Sequence, residues 1–195
     1  MYILILYAYV NPYLFPYTSG RDFGTIILIT FFTAVMIPGI SILLMLGTGF
    51  ISSLQLHNRT ERIGPLIVTS ISYLWLYLNI RTHNAIPISF SLFVLGALIS
   101  LFLAFFINNF SKISLHAVGM GGFLFGSLYL ILHHGRSFSS IGDVFVNNIF
   151  LIVIILILTG AVLTSRLYLK AHTYQDVLGG LLVGIAGQLI ALRFF

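Results

Sequence analysis

The sequence predicts an all-α fold: a polytopic membrane protein, a bundle of six transmembrane helices. Three observations predict it. Of 195 residues, 59 % are apolar and only 7 % are charged, whereas a soluble domain carries roughly 25 % charged residues. Mean hydropathy is +1.09. The apolar residues also fall into six runs separated by polar clusters, each near the ~20 residues that cross a hydrocarbon core. Six such helices use about 120 residues, which leaves loops and ends but no separate soluble domain.

Residues 1–22 are read as an interfacial N-terminal segment. Pro12 and Pro16 stand among Tyr and Phe there, and such a broken aromatic stretch suits the membrane–water boundary better than its core. With no basic n-region and no small-residue cleavage site, it is not expected to be a cleaved signal peptide. Residues 23–195 form the six-helix domain. The first span runs from Phe23 to Phe50, with a kink expected at Pro38–Gly39 because proline withdraws a backbone donor. The second is Gly64 to Ile80, the third Pro87 to Asn108 and the fourth Leu115 to Leu132. The fifth is Val144 to Thr164 and the sixth Tyr174 to Leu192.

The connecting segments divide the charge between two faces. The loops after spans one, three and five carry Arg59, Arg62, Lys112, Arg166 and Lys170; the other face carries Arg21, Arg81, Arg136 and Arg193. Five cations against four do not orient the chain by the positive-inside rule unless the first set serves chemistry instead. The net charge of +5 contains no basic run, so no nucleic-acid partner is expected. The absence of cysteine excludes disulfides, thiolate metal sites and cysteine nucleophiles. His133 and His134 are adjacent and point apart, which suits the interface better than a metal. Asn108–Asn109 and Asn147–Asn148 read as helix ends.

Glycines mark where helices approach. Gly122/Gly126 in span four and Gly180/Gly184 in span six each have the G-x-x-x-G spacing, which lets helix backbones come together in lipid. Spans four and six are expected to be neighbours. His116 opens one and His172 and Asp176 open the other, at the same face, so the two histidines should meet.

His172 and Asp176 are four residues apart at a helix start, on one helical side. A carboxylate there can fix the tautomer of an imidazole and leave its other nitrogen free as base or nucleophile. Arg166 lies six residues upstream with the fork of donors that suits phosphate or carboxylate, and free N–H groups at a helix start favour an anion. Ser165, Arg166, His172 and Asp176, with Ser114 and His116 as a further donor and acid, read as parts of an oxyanion site. Such ionisable groups in so apolar a chain are costly and point to function.

The run Ser165-Arg166-x5-His172-x3-Asp176 resembles the third signature, S-R-x5-H-x3-D, of the type 2 phosphatidic acid phosphatase superfamily, and Val177-x-Gly179-Gly180 continues the likeness. The second signature, P-S-G-H, is matched by Ser114 and His116, with Ile113 and Leu115 in place of proline and glycine. The first, K-x6-R-P, is matched only by the position of Arg59 to Pro65 before span two; Gln55 stands where the lysine would precede Arg62. The resemblance implies a metal-independent phosphatase of six transmembrane helices with no cofactor. His172 would attack phosphorus, Asp176 would orient it and His116 would protonate the leaving oxygen. Arg166, Ser114 and a cation from Arg59, Arg62 or Lys112 would hold the phosphate oxygens, with Lys170 a further candidate. The substrate would be a membrane lipid phosphate or pyrophosphate. The setting would be a bacterial inner membrane with the site facing the periplasm, which would also account for the five cations on that face.

Two other readings compete. The degenerate first and second motifs would suit an inactive relative that binds anionic lipid or serves as a structural subunit. A bis-histidine haem site using His116, His133, His134 or His172 would leave Arg166 and Asp176 without a role. Oligomeric state is not legible.

Overall fold

The computed structural model describes Leu6 and residues 20–56, 58–84, 86–134, 138–141 and 144–194. Most of the segment over residues 1–22 lies outside these residues, as do His57, Arg136 and Asp143. Among the described residues, six helices are long and apolar enough to cross a membrane. The first span consists of α1 (Gly20–Phe31), a π-helical turn (Phe32–Met36) and α2 (Ile37–Gly47). A 3₁₀ turn (Thr60–Arg62) leads into α3 (Ile63–Ile80). Then come α4 (Ile88–Asn108), α5 (Leu115–His134), α6 (Asn148–Tyr168) and α7 (Tyr174–Arg193). The six-helix bundle is as the sequence predicts.

The chain departs from expectation between spans four and five. Phe138–Ile141 (β1) and Val144–Asn147 (β2) form an antiparallel hairpin in which Ile141 pairs with Val144. The fifth helix therefore begins at Asn148 rather than Val144. Asn147 caps it: its side chain accepts the Ile149 N–H at 2.8 Å, and asparagine is among the favoured N-caps.

Pro38 does not break the first span in two; it displaces the ladder upstream. The Ile37 N–H bonds to the Phe32 carbonyl, one residue further back than in an α-helix. The Thr33 carbonyl thereby loses its usual donor, and Pro38 has no N–H to replace it. Ser72, buried on α3, donates its hydroxyl to that carbonyl at 2.7 Å. An orphaned backbone acceptor in hydrocarbon costs several kcal/mol, so this hydroxyl ties the second span to the distorted turn of the first.

Spans four and six do pack backbone to backbone. A Cβ on Gly184 would run into the Val118 carbonyl and come within 2.6 Å of the Gly122 nitrogen. A Cβ on Gly121 would run into the Leu181 carbonyl, and one on Gly180 would reach the Ser114 carbonyl at 2.6 Å. Span three packs against span six beside span four. A Cβ on Gly187 would collide with the Ser100 hydroxyl, and one on Gly96 would reach Gln188 Oε1 at 2.5 Å. Buried Gln188 donates to the Phe93 carbonyl at 3.2 Å, and the buried Ser100 hydroxyl, bonded to Gly96 within its own helix, also reaches the Gly184 carbonyl at 3.3 Å. The seam is made by small residues and interhelical hydrogen bonds, since lipid supplies no hydrophobic drive between helices.

The larger apolar core sits toward the opposite face, where Ile26, Leu76, Ile80, Phe90, Val94, Leu130, Ile131 and Ile155 interlock and Leu6 packs against them. A smaller cluster, Ala104, Ile113 and Val118, lies near the histidines. At the opposite face the Arg81 guanidinium lies 5.9 Å from the Tyr77 ring centroid, and His133 stacks on Tyr129 at 4.4 Å. Such pairings suit an interface with one side wet.

Candidate active site

The site is assembled from four chain segments that reach the same end of the bundle. The first is the stretch from Leu54 through the 3₁₀ turn. Leu56 holds a left-handed backbone (φ 49°), costly for a branched side chain, and its carbonyl accepts Arg62 Nε at 2.9 Å. Arg62 Nη1 donates to the Ile113 carbonyl at 2.7 Å, and only 4 % of the residue is exposed. Arg62 thus clasps the segment before α5. Arg59 does the same from outside: its Nη1 donates to the Phe110 carbonyl at 2.8 Å, while Asn108 Nδ2 donates to the Arg59 carbonyl at 2.8 Å.

The second segment is the start of α5. Ser114 is fully buried, and its hydroxyl lies 3.4 Å from the Ala117 nitrogen in a capping position. The Ser114 N–H donates to the Asp176 carbonyl at 3.1 Å, which fixes the start of α5 against the first turn of α7. The close glycine seam makes this bond possible.

The third and fourth segments flank the loop between α6 and α7. Arg166 Nε is 3.3 Å from Ser165 Oγ, and the Arg166 carbonyl accepts the Ala171 N–H at 3.2 Å. Lys170 turns the chain with φ 51°, and Lys112 Nζ ties the loop down through the Ala171 carbonyl at 3.0 Å. Thr173 caps α7 in a capping box. Its hydroxyl accepts the Asp176 N–H at 3.2 Å, and Asp176 Oδ2 accepts the Thr173 N–H at 3.0 Å. Asp176 Oδ2 also stands 3.5 Å from His172 Nδ1. That distance is an ion-pair contact rather than a formed hydrogen bond, and Nδ1 has no hydrogen-bond partner. The carboxylate serves the helix cap first and the imidazole second.

These segments enclose a cavity of about 500 Å³. His116, His172, Arg62, Lys112, Arg166 and Lys170 all line it, and none of its described lining residues is an aspartate or glutamate. The expected meeting of His116 and His172 is realised here. Of the expected phosphate ligands, Arg62, Lys112 and Arg166 reach the cavity; Arg59 and Ser114 do not line it. Leu54, Gln55 and Leu56 complete the wall; nothing in their residue types marked them, because the wall follows from backbone bonds to Arg62.

Burial pushes the His172 imidazole below its ordinary value; Arg62 and then Lys112 add to the fall, while Asp176 opposes it. The group is therefore neutral at neutral pH, with Nδ1 turned to a carboxylate. Neutral imidazole is the form able to accept a proton or attack an electrophile. Four cations around one cavity, with no carboxylate among its described lining residues, constitute a strong field for an anion.

Fold and cavity together define the class: a polytopic membrane protein with an anion-attracting site at one end of its bundle. Residues 104–195 match the family model described as PAP2 superfamily, a superfamily that generally comprises phosphatases. The match takes in Ser114, His116, Arg166, His172 and Asp176 and leaves out Arg59 and Arg62. No curated protein and no solved structure matches the chain.

Proposed function

We propose that this protein is an integral membrane phosphatase that hydrolyses a lipid phosphate or pyrophosphate through a phosphohistidine at His172. One observation carries the proposal: two imidazoles and four cations line one cavity at the end of a membrane bundle. Phosphoryl transfer asks mainly for positioning and charge stabilisation, and that lining supplies both. His172 Nδ1 faces Asp176, which leaves Nε2 to form a bond to phosphorus. As that bond forms, the bond from phosphorus to the lipid oxygen breaks, and His116 gives the leaving oxygen a proton. Water then attacks the phosphohistidine with His116 as base, the N–P bond breaks, and phosphate leaves. Arg62, Arg166 and Lys112 hold the charge on the non-bridging oxygens. Arg62 takes the part that a first-motif lysine would otherwise play.

The same reading places the site at the periplasmic face of a bacterial inner membrane, which a membrane-impermeant reagent aimed at Lys170 in right-side-out and inverted vesicles would test. For the reaction, the full chain purified in mild detergent is assayed for phosphate release with EDTA present, beside His172→Ala. EDTA-resistant release that disappears in the variant is expected. Release that survives in His172→Ala would sink the phosphohistidine mechanism. Lipid-phosphate binding without release from any substrate, in folded protein, would move the function to an anionic-lipid-binding relative; the carbonyl bonds already occupying Arg62 and Lys112 favour that second reading.

A further inference from the structure

Next to the cation-lined cavity lies a second one of about 220 Å³, walled by spans two, three, four and six. Leu115 lines both. From Leu115 to Phe123 the wall follows two turns of α5, about 12 Å along the helix axis, from the level of the histidines toward the middle of the membrane. Besides Tyr73, the polar side chains in this wall are Thr69, Ser100 and Gln188, and each donates to the protein's own backbone. Thr69 Oγ1 donates to the Pro65 carbonyl at 2.7 Å, Ser100 to Gly96 and Gln188 Nε2 to Phe93. Phe93, Ala97, Leu101, Leu115, Val118 and Phe123 make up most of the rest of the wall, so the space suits hydrocarbon.

Gly119 differs from the glycines of the helix seam. A Cβ on Gly121, Gly180, Gly184 or Gly187 would strike a neighbour, whereas one on Gly119 meets nothing within 4 Å. Its missing side chain serves no helix contact. It lies exposed on the cavity wall and leaves that wall open.

We propose that this second cavity receives the hydrocarbon chain of a lipid phosphate whose headgroup occupies the cation-lined cavity, with Leu115 at the junction and Gly119 setting the width of the path. The proposal rests on the phosphatase reading for the identity of the headgroup. It explains why two cavities of opposite chemistry share one side chain. It also explains why a glycine without a packing partner stands one turn inside a helix.

Gly119→Leu tests it, because the Cβ it adds meets nothing within 4 Å and the side chain starts from the cavity wall. In purified full-length protein, kcat/KM for a long-chain alkyl phosphate is expected to fall by about tenfold or more, while glycerol phosphate turnover stays within about twofold. Equal loss on both substrates, or no loss on either, overturns the proposal. A second measurement needs no turnover. A long-chain alkyl phosphate carrying a diazirine in the proximal half of its chain is photolysed with the protein, and the labelled peptides are mapped. Label on the peptides around Gly119–Phe123 and Phe93–Leu101, lost in Gly119→Leu, is the expected result; label confined to other helices overturns it. Competition by an unlabelled alkyl phosphate and by a prenyl phosphate then distinguishes an acyl from an isoprenoid source. Protein labelled here that releases no phosphate from any substrate keeps the chain site and loses the hydrolase.

Discussion

The two ends of the bundle are built by different means. Toward one face, large apolar side chains from five spans interlock around Phe90, Leu76 and Leu130, each 1 % exposed or less. Toward the other, the helices are held by glycine against backbone at Gly180 and Gly184 and by arginines bonded to carbonyls. The cation-lined cavity lies in that second half, and the cavity beside it runs from there to Tyr73, Phe93 and Phe123 at the edge of the core. An interlocked apolar core fills space and tolerates no hole. Backbone-to-backbone seams with charged clasps fix a few positions closely and leave room between them. The half that must hold an anion is therefore rigid at its edges and open at its centre.

The largest expected effect tests the rigid edge. Gly184→Leu puts a side chain into the Val118 carbonyl and the Gly122 nitrogen. Backbone on both sides cannot yield as a side chain would, so the cost should exceed the ~1–3 kcal/mol usual for overpacking. Aggregated or unfolded protein is expected on size exclusion in detergent. Gly160→Leu on α6, where an added Cβ meets nothing within 4 Å, should give normal yield and melting temperature. If both variants behave alike, the seam does not hold this half together.

Next in size are the two arginines of the first segment. Arg62→Ala removes a cation from the cavity and orphans the Leu56 and Ile113 carbonyls, and phosphate release should fall by about 10²-fold or more. Arg59→Ala removes one exposed bond to Phe110, and the loss should be no more than a few tenths to about 1 kcal/mol of stability, with turnover retained. Equal activity loss in the two would mean that position along the chain, not the cavity, defines the site. In the interlocked half the corresponding change is Phe90→Ala. Transfer to lipid offsets no hydrophobic gain, so the cost reduces to a cavity of roughly 100 Å³, about 2 kcal/mol. It should lower the melting temperature and leave kcat/KM intact at a permissive temperature.

How much of this was legible follows the same division. The six spans were readable because hydrocarbon imposes length and apolarity on each run. The seam between spans four and six was readable because both partners carry spaced glycines. Span three's place against span six was not, since Gly96 stands alone and Ser100 and Gln188 give no periodic signal. The hairpin hid because Val144-Phe145-Val146 continues an apolar run without a break; Asn147, read as a helix end, was the usable mark. His116, Arg166 and His172 were legible through helix starts on one face and the resemblance to a known signature. The choice of Arg62 over Arg59 was not, because three residues on a 3₁₀ turn decide it. The wall from Leu54 to Leu56 was not either, because a left-handed leucine has no sequence signal.

The smallest effect separates the two halves by pH. His172 is held below its ordinary value of about 6.5 by burial, with Arg62 and Lys112 contributing. Near that pH the unfolded chain takes up a proton at this position that the folded chain refuses. The contribution to stability is therefore complete above about pH 6.5 and is lost as pH falls through the lower, folded-state value. The nucleophile stays neutral over the same window, so the acid limb of kcat/KM should lie below about pH 6.5. His172→Gln should flatten the fall in melting temperature between neutral and mildly acid pH relative to wild type. Phe90→Ala should leave that slope unchanged, because neither side chain binds a proton and the deficit it causes is a void rather than a charge. A Phe90→Ala slope that also flattens would show that the two halves do not report separately on acid, and the division drawn between them would fail at that point.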